Sequence, residues 1–300
     1  MKFPIELVDR TIICSEMTVK QYKEFLKSIY GDEPDYDSFA LMFASMLSEL
    51  TDLSKDDILD LSIIDIFLIV LEIRMYALGN RCSVSIQLED DSKANLDLSL
   101  ALIVDDLKAV EFKRFQTSIE QQNITVHLSP PSFRRFKEEA QEGEEHLMFI
   151  DSVEIHSIND SRKITTHETA KMVSDNLSPK HNVMISKRFV EYLTAMSEVD
   201  LLVHYKIKNR TLKFTPTFKT LMWYIKLFFS EPLNTLYDNL FYLSYRAHID
   251  PSYIEQCTPG EYIYFIKKLE QVLHDQRQAN DGDTGDTNLP SEDDNMQDGY

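Results

Sequence analysis

The amino-acid sequence predicts an α+β protein: a discontinuous helical bundle formed by N- and C-terminal helices, a mostly β inserted region, and a disordered acidic C-terminal tail. Three observations carry this reading. Apolar residues recur at helical spacing from Val19 to Leu78 and again from Phe218 to Leu273. Between those blocks the period drops to two, the spacing of a strand with one buried face. The last 23 residues, Gln278 to Tyr300, hold seven acidic side chains, no basic one and too few apolar ones to offset the entropy of ordering. The expected units are a helical domain of residues 1–80 and 216–275, a β-rich insertion of residues 81–215, and a tail of residues 276–300.

In the first block Val19, Tyr22, Phe25, Leu26, Ile29 and Tyr30 form one stripe, and Thr18 with Gln21 supplies a capping box, so a helix runs from Thr18 to about Gly31. Phe39, Met42, Phe43, Met46, Leu47 and Leu50 make the buried stripe of a second helix after the PDYDS turn. Ser54 with Asp57 opens a third, read as continuous to Leu78 and apolar on nearly all sides until Gly79 and Asn80 stop it. A helix apolar all round must be central to a bundle or covered by a partner.

Cys82, Val84, Ile86 and Leu88 then alternate with polar residues, and NLDLSLAL alternates through Leu96, Leu98, Leu100 and Leu102. With the polar turn EDDSKAN between them these runs read as a hairpin. Further alternation marks NITVHLS, MFIDSVEI and LLVHYKIKNRTLKF, with a helix expected near Lys187 to Ser197. Thr215 and Pro216 return the chain to helices. Their stripes are Phe218, Leu221, Met222, Ile225, Phe228 and Phe229, then Leu233, Leu236, Tyr237, Leu240 and Phe241, then Tyr262, Phe265, Ile266, Leu269 and Leu273. Asp250–Pro251 and Thr258–Pro259 each pair a capping side chain with a proline suited to the first helical position, and Glu261 can reach back to Thr258. A short helix is therefore expected between two longer ones.

Composition excludes several functions. The formal charge is −19, of which −12 remains on the body without the last 23 residues, so phosphate neutralisation is disfavoured and no nucleic-acid partner is expected. Only Gly31, Gly79, Gly143 and Gly260 precede the tail, which leaves no dinucleotide fingerprint and no P-loop. GxSxG, HExxH and zinc-spaced Cys/His clusters are missing from the sequence. No catalytic residue, cofactor or metal is therefore expected. The enzymatic alternative is a metal-dependent hydrolase built on His127, His146, His156, His167 and His181, whose ordinary reading is histidines on a polar strand face. Cys14, Cys82 and Cys257 suit reduced thiols in a cytoplasm. Neither a signal core nor a membrane span is expected, since the strongest apolar run, Ile66 to Leu71, is only six residues.

The richest local feature is tyrosine: Tyr237, Tyr242, Tyr245, Tyr253, Tyr262 and Tyr264. Its apolar ring and polar tip suit a surface that is wet when alone and buried when bound. Tyr242, Tyr245, Tyr253 and Tyr262 are the candidate partner-binding residues; the alternative is that they are framework residues of half-buried helices.

FPIELVDRTI leading into TVKQYKEFLKSIYG, the apolar helices to Leu78, and NTLYDNLFYLSYRAHIDPSYIEQCTPGEYIYFIKKL resemble the baseplate hub and hub-assembly proteins of T-even-type tailed bacteriophages. The resemblance is carried by residues 1–110 and 216–272. It implies a non-enzymatic hub subunit, or a factor that helps build the hub, acting in the host bacterial cytoplasm during assembly. The partners it implies are other baseplate hub proteins and the long helical tape-measure protein. A transient tail-assembly chaperone absent from the virion is the competing form of the same reading.

Overall fold

The computed structural model describes residues 1–30, 36–87, 93–121, 123–135, 145–156, 161–164, 167–199, 218–229 and 231–282. Alternation starts earlier than the sequence reading placed it. In β1 (Lys2–Glu6) Phe3 and Ile5 face inward, and in the antiparallel β2 (Thr11–Ser15) Ile12 and Cys14 do the same, with Phe3 opposite Cys14 and Ile5 opposite Ile12. This hairpin was not anticipated, because each strand is only five residues long.

α1 (Val19–Tyr30) begins at the expected box: Gln21 N donates to Thr18 Oγ1 at 3.2 Å and Thr18 N to Gln21 Oε1 at 3.0 Å. α2 (Tyr36–Leu50) buries Phe39, Phe43, Leu47 and Leu50, whereas Met42, expected in the stripe, is exposed. The expected third helix is two, α3 (Lys55–Asp60) and α4 (Ile63–Leu78). The Ser54–Asp57 box forms, but a second cap follows at once, with Asp65 N donating to Ser62 Oγ at 3.1 Å. The freed backbone is satisfied by a distant segment: Ile63 N donates to the Pro131 carbonyl, Phe133 N to that of Leu61 and Arg134 N to that of Leu59. Apolar residues stand on both sides of this break, Ile58, Leu59 and Leu61 before it and Ile63 and Ile64 after it, which is why periodicity alone hides it.

α4 is the central element. Most of its length is buried, and α8 (Phe218–Phe228) and α11 (Pro259–Gly282) pack on it along with α5 (Leu100–Ala109). Gly79, with φ of 89°, ends it. Then β3 (Arg81–Gln87) and β4 (Lys93–Ser99) pair with Cys82 opposite Leu98 and Val84 opposite Leu96, these four buried. The leucine alternation, read as strand through Leu102, stops at Ser99. Asn80 turns the chain, its carbonyl accepting from Leu100 N and its Oδ1 from Ala101 N, and α5 buries Leu100, Ile103, Val104 and Leu107 at helical spacing.

A four-stranded antiparallel sheet follows in the order β5 (Thr117–Gln121), β6 (Ile124–Leu128), β7 (Ile150–His156), β8 (Ser161–Ile164), with Ile119, Val126 and Val153 aligned on its buried side. α6 (His167–Asn176) and α7 (Pro179–Ser197) complete this part. α7 contains the expected 187–197 helix and starts earlier, at a Ser178 cap with proline at the first position; α5 and α6 were not anticipated. Phe112, Phe115 and Phe149 pack edge-on or tilted around Tyr192 of α7. The LLVHYKIKNRTLKF run, 201–214, lies outside the described residues.

α9 (Leu233–Ala247) and α10 (Pro251–Gln256) lie between α8 and α11. α1 packs against α8, α9, α10 and α11, so helices from the two ends of the chain share one interior. α11 carries the chain to Gly282, so residues 276–282, assigned to the disordered tail, are helical; no glycine or proline interrupts Glu261 to Asp281. The rest of the tail, 283–300, lies outside the described residues. Buried apolar side chains from Phe3 to Tyr262 form one continuous core.

Candidate interaction surface

Helical geometry decides which tyrosines reach the surface. α9 turns Leu236 and Leu243 inward, which places Tyr237, Phe241 and Tyr245, four residues apart, along its outer side with Tyr242 beside them. Phe241 is 63% exposed, Tyr245 60% and Tyr242 50%. The Phe241 and Tyr245 rings stack at 5.5 Å and 6°, and the Arg246 guanidinium lies 5.4 Å from the Tyr245 ring centre. Tyr237 and Phe241 were both expected in the buried stripe of this helix. Leu236, Leu240 and Leu243 make the better inner face, and that competition was the signal to read.

The corner after α9 is built as the sequence indicates. His248, in the left-handed region at φ of 53°, ends α9; Asp250 Oδ1 accepts from Ser252 N at 2.7 Å to start α10. Thr258 and Glu261 form a complete capping box for α11: Glu261 N donates to Thr258 Oγ1 at 3.2 Å and Thr258 N to Glu261 Oε2 at 2.8 Å. An ion pair between Lys23 and Glu255 fastens α10 to α1. Tyr253 and Tyr264 stand exposed at this corner, their ring centres 6.5 and 6.0 Å from that of Phe265.

Tyr262 does not join them. Two residues from Tyr264, it lies on the opposite side of α11, has no exposed surface, and donates its hydroxyl to Glu231 Oε1 at 3.0 Å. The buried Tyr22 hydroxyl lies beside the same carboxylate without a hydrogen bond of good geometry. Burial pushes the Glu231 carboxyl above the ordinary glutamate range, and the tyrosine hydroxyl works against that shift. A second polar anchor was invisible to pattern reading: buried Arg74 donates from Nε to the Phe228 carbonyl at 2.7 Å and from Nη1 to that of Gly79 at 3.0 Å, tying the C-terminal ends of α4 and α8 together.

His127 and His156 flank the Glu154 carboxylate, whose oxygens lie 3.4 and 4.0 Å from their Nε2 atoms, while His181 stands apart from them. His127 Nδ1 is 2.9 Å from Ser118 Oγ, with Nε2 3.4 Å from Glu154; His156 Nε2 bonds Thr125 Oγ1 at 2.9 Å; His181 Nδ1 bonds Gln121 Oε1 at 2.7 Å. His146 lies on a 3-10 turn, Glu145–Phe149, and His167 opens α6. Among the described residues no three His, Cys, Asp or Glu side chains are grouped to hold a metal ion. A polar cleft of about 490 Å³ lies nearby, between the β1–β2 turn, the α3–α4 break and β6; Arg10, Ser118, His127 and Asp151 are among its lining. Asp65, at its floor, accepts from Val8 N and from the Ser62 hydroxyl, both at 2.8 Å, while burial pushes its carboxyl up. The three cysteines are buried free thiols, and burial raises Cys14 to about 12, far from a reactive thiolate.

A continuous core and polar groups used as internal anchors leave the aromatic side chains of α9 on the outer surface. The family model described as T4 bacteriophage base plate protein matches residues 1–211, and the chain belongs to that family of phage baseplate proteins. No curated protein and no solved structure matches the chain. The match takes in the segment from 111 to 211, which the sequence resemblance did not reach, and ends before α8, so the tyrosine face lies beyond it. No helix among the described residues is long and apolar enough to cross a membrane.

Proposed function

We propose that this baseplate protein serves the central hub, as a hub subunit or hub-assembly factor, and docks other hub proteins or the tape-measure protein through the outer face of α9, α10 and the start of α11. The observation that carries this reading is the exposure of Phe241, Tyr242, Tyr245 and Tyr253 on helices whose inner sides are locked into the core. Protein interfaces are enriched in such aromatics and depleted in acidic groups at their centre, and α9 carries only Asp238 and Arg246 as formal charges in a strongly acidic chain. Tyr262 supports the face from beneath through Glu231. The role is non-enzymatic, exercised in the host cytoplasm during assembly, with residues 1–80 and 216–275 acting as one docking unit; the packing of α1 on α8 to α11 supports that grouping.

Co-expression with each hub protein and the tape-measure protein tests the reading. One of them is expected to co-purify as a soluble complex that Tyr245→Glu and Tyr253→Glu disrupt while circular dichroism stays unchanged, because an unpaired carboxylate buried at an interface is costly and an exposed one is nearly neutral. Retention of every complex by both variants would move the docking surface elsewhere. Mass spectrometry of purified virions separates a stoichiometric subunit from a chaperone that leaves before completion.

A further inference from the structure

We propose that the α9 face is covered, in the protein awaiting assembly, by α9 of a second copy packed antiparallel about a two-fold axis at Phe241 and Tyr242. The inference rests on reading this face as an interface and names its first occupant. The pattern on α9 is its own complement. An isologous contact pairs residue i with residue j and j with i, so a helix packed antiparallel on its own copy needs a sequence symmetric in shape and antisymmetric in charge about the axis.

Both conditions are met to within one residue, about 1.5 Å along the helix, the aromatic stripe being centred on Phe241 and the charged stripe on Tyr242 with the axis between them. Tyr237 and Tyr245 lie equally far on either side of Phe241, so each tyrosine faces the other's counterpart while the two phenylalanines meet at the axis. Asp238 and Arg246 lie equally far on either side of Tyr242, about 12 Å apart along the helix at its usual rise, so each aspartate comes opposite the other copy's arginine. Both charged residues are exposed, and among the described residues neither has an ion-pair partner, although Arg246 lies near the Tyr245 ring. Two such pairs form per dimer, and they supply the counter-charge that a carboxylate set among Phe241, Tyr242 and Tyr245 requires on losing water. Parallel packing would instead bring Asp238 against Asp238 and Arg246 against Arg246. The charges therefore select the antiparallel arrangement.

Sedimentation equilibrium of the full chain from about 1 to 100 μM, at low and at physiological salt, reads the result. The expected species is a dimer that Phe241→Glu converts to monomer with an unchanged circular dichroism spectrum. Should that variant misfold, the charge series still decides, since both charged side chains are exposed. Asp238→Arg alone and Arg246→Asp alone should each weaken dimerisation at least tenfold, the doubly exchanged chain should recover it, and mixing the two single variants should yield a heterodimer carrying both attractive pairs. A wild-type chain that stays at 35 kDa throughout, or a dimer indifferent to the single reversals, or a doubly exchanged chain that does not recover, overturns the proposal. A monomer that still captures a hub protein through Tyr245 would overturn the dimer and leave the proposed function standing.

Discussion

Tyr262→Phe removes one oxygen from a side chain with no exposed surface. The hydroxyl it deletes donates to Glu231, a carboxylate already held above its ordinary range by burial. A hydrogen bond to a charged group contributes about 1.5–3 kcal/mol, so a loss of about 2 kcal/mol is expected at neutral pH, where Glu231 must otherwise stay ionised with one donor fewer. The pH dependence follows from linkage. A carboxyl whose folded pKa is raised binds its proton more tightly in the folded state, so its effect on stability turns unfavourable as pH rises from the ordinary value of 4.5 through the raised one. Deleting a donor that favours the ionised form raises the folded value further. The deficit of the variant should therefore widen across that window, level off above it, and shrink below it to the neutral-bond cost of about 1 kcal/mol. Urea unfolding of both chains at a series of pH values, compared at constant m, measures this. A deficit below about 0.5 kcal/mol at neutral pH, or one that does not change with pH, would refute the assignment of Tyr262 as a buried anchor of Glu231.

Two further substitutions probe the framework by the same unfolding assay. Thr258→Ala should cost about 1 kcal/mol by opening the α11 capping box, and an unchanged urea midpoint would mean that the box contributes nothing to α11. Tyr192→Phe should be neutral or stabilising by up to about 1 kcal/mol, because the deleted hydroxyl is fully buried and has no hydrogen-bond partner among the described residues; a loss of more than about 1 kcal/mol would reveal a bound water at that oxygen.

How far the fold was legible depended on whether the information was local. Caps are local, and the boxes at Thr18, Ser54 and Thr258, with the stop at Gly79, were read correctly from four or five residues each. The α3–α4 break carried a local signal of the same kind, Ser62 with Asp65, which the apolar residues around it overshadowed; what was not local was the partners of the freed backbone, Pro131, Phe133 and Arg134, about seventy residues away. Leu100 and Leu102 continued a strand pattern until Asn80, twenty residues earlier, turned the chain into a helix. For the candidate face, composition located the tyrosines, but only the helical angle between 262 and 264 separates an anchor from a surface residue. Tyr237 and Phe241 were misplaced because a stripe of five apolar residues was assumed to be buried whole, when the leucines of α9 sufficed.

Charge explains why contact should concentrate on α9 in the proposed reading. With −12 on the body, two copies of this chain, or this chain and another acidic subunit, repel at long range, and at physiological salt that repulsion is screened beyond about 8 Å. Short-range attraction then decides, and it is available where apolar area is exposed and charge is sparse or self-cancelling. Among the described residues α2 exposes only the adjacent Leu41 and Met42, and α5 exposes Leu102 on a surface that also carries Asp105 and Asp106, which no copy of an acidic partner would welcome. On α9 the only two formal charges are opposite in sign and placed to cancel across a two-fold axis, with four aromatic rings between and beside them. Moving one more negative charge onto that helix should therefore weaken association more than removing one aromatic ring, since it would restore at the contact the repulsion that the rest of the surface already supplies.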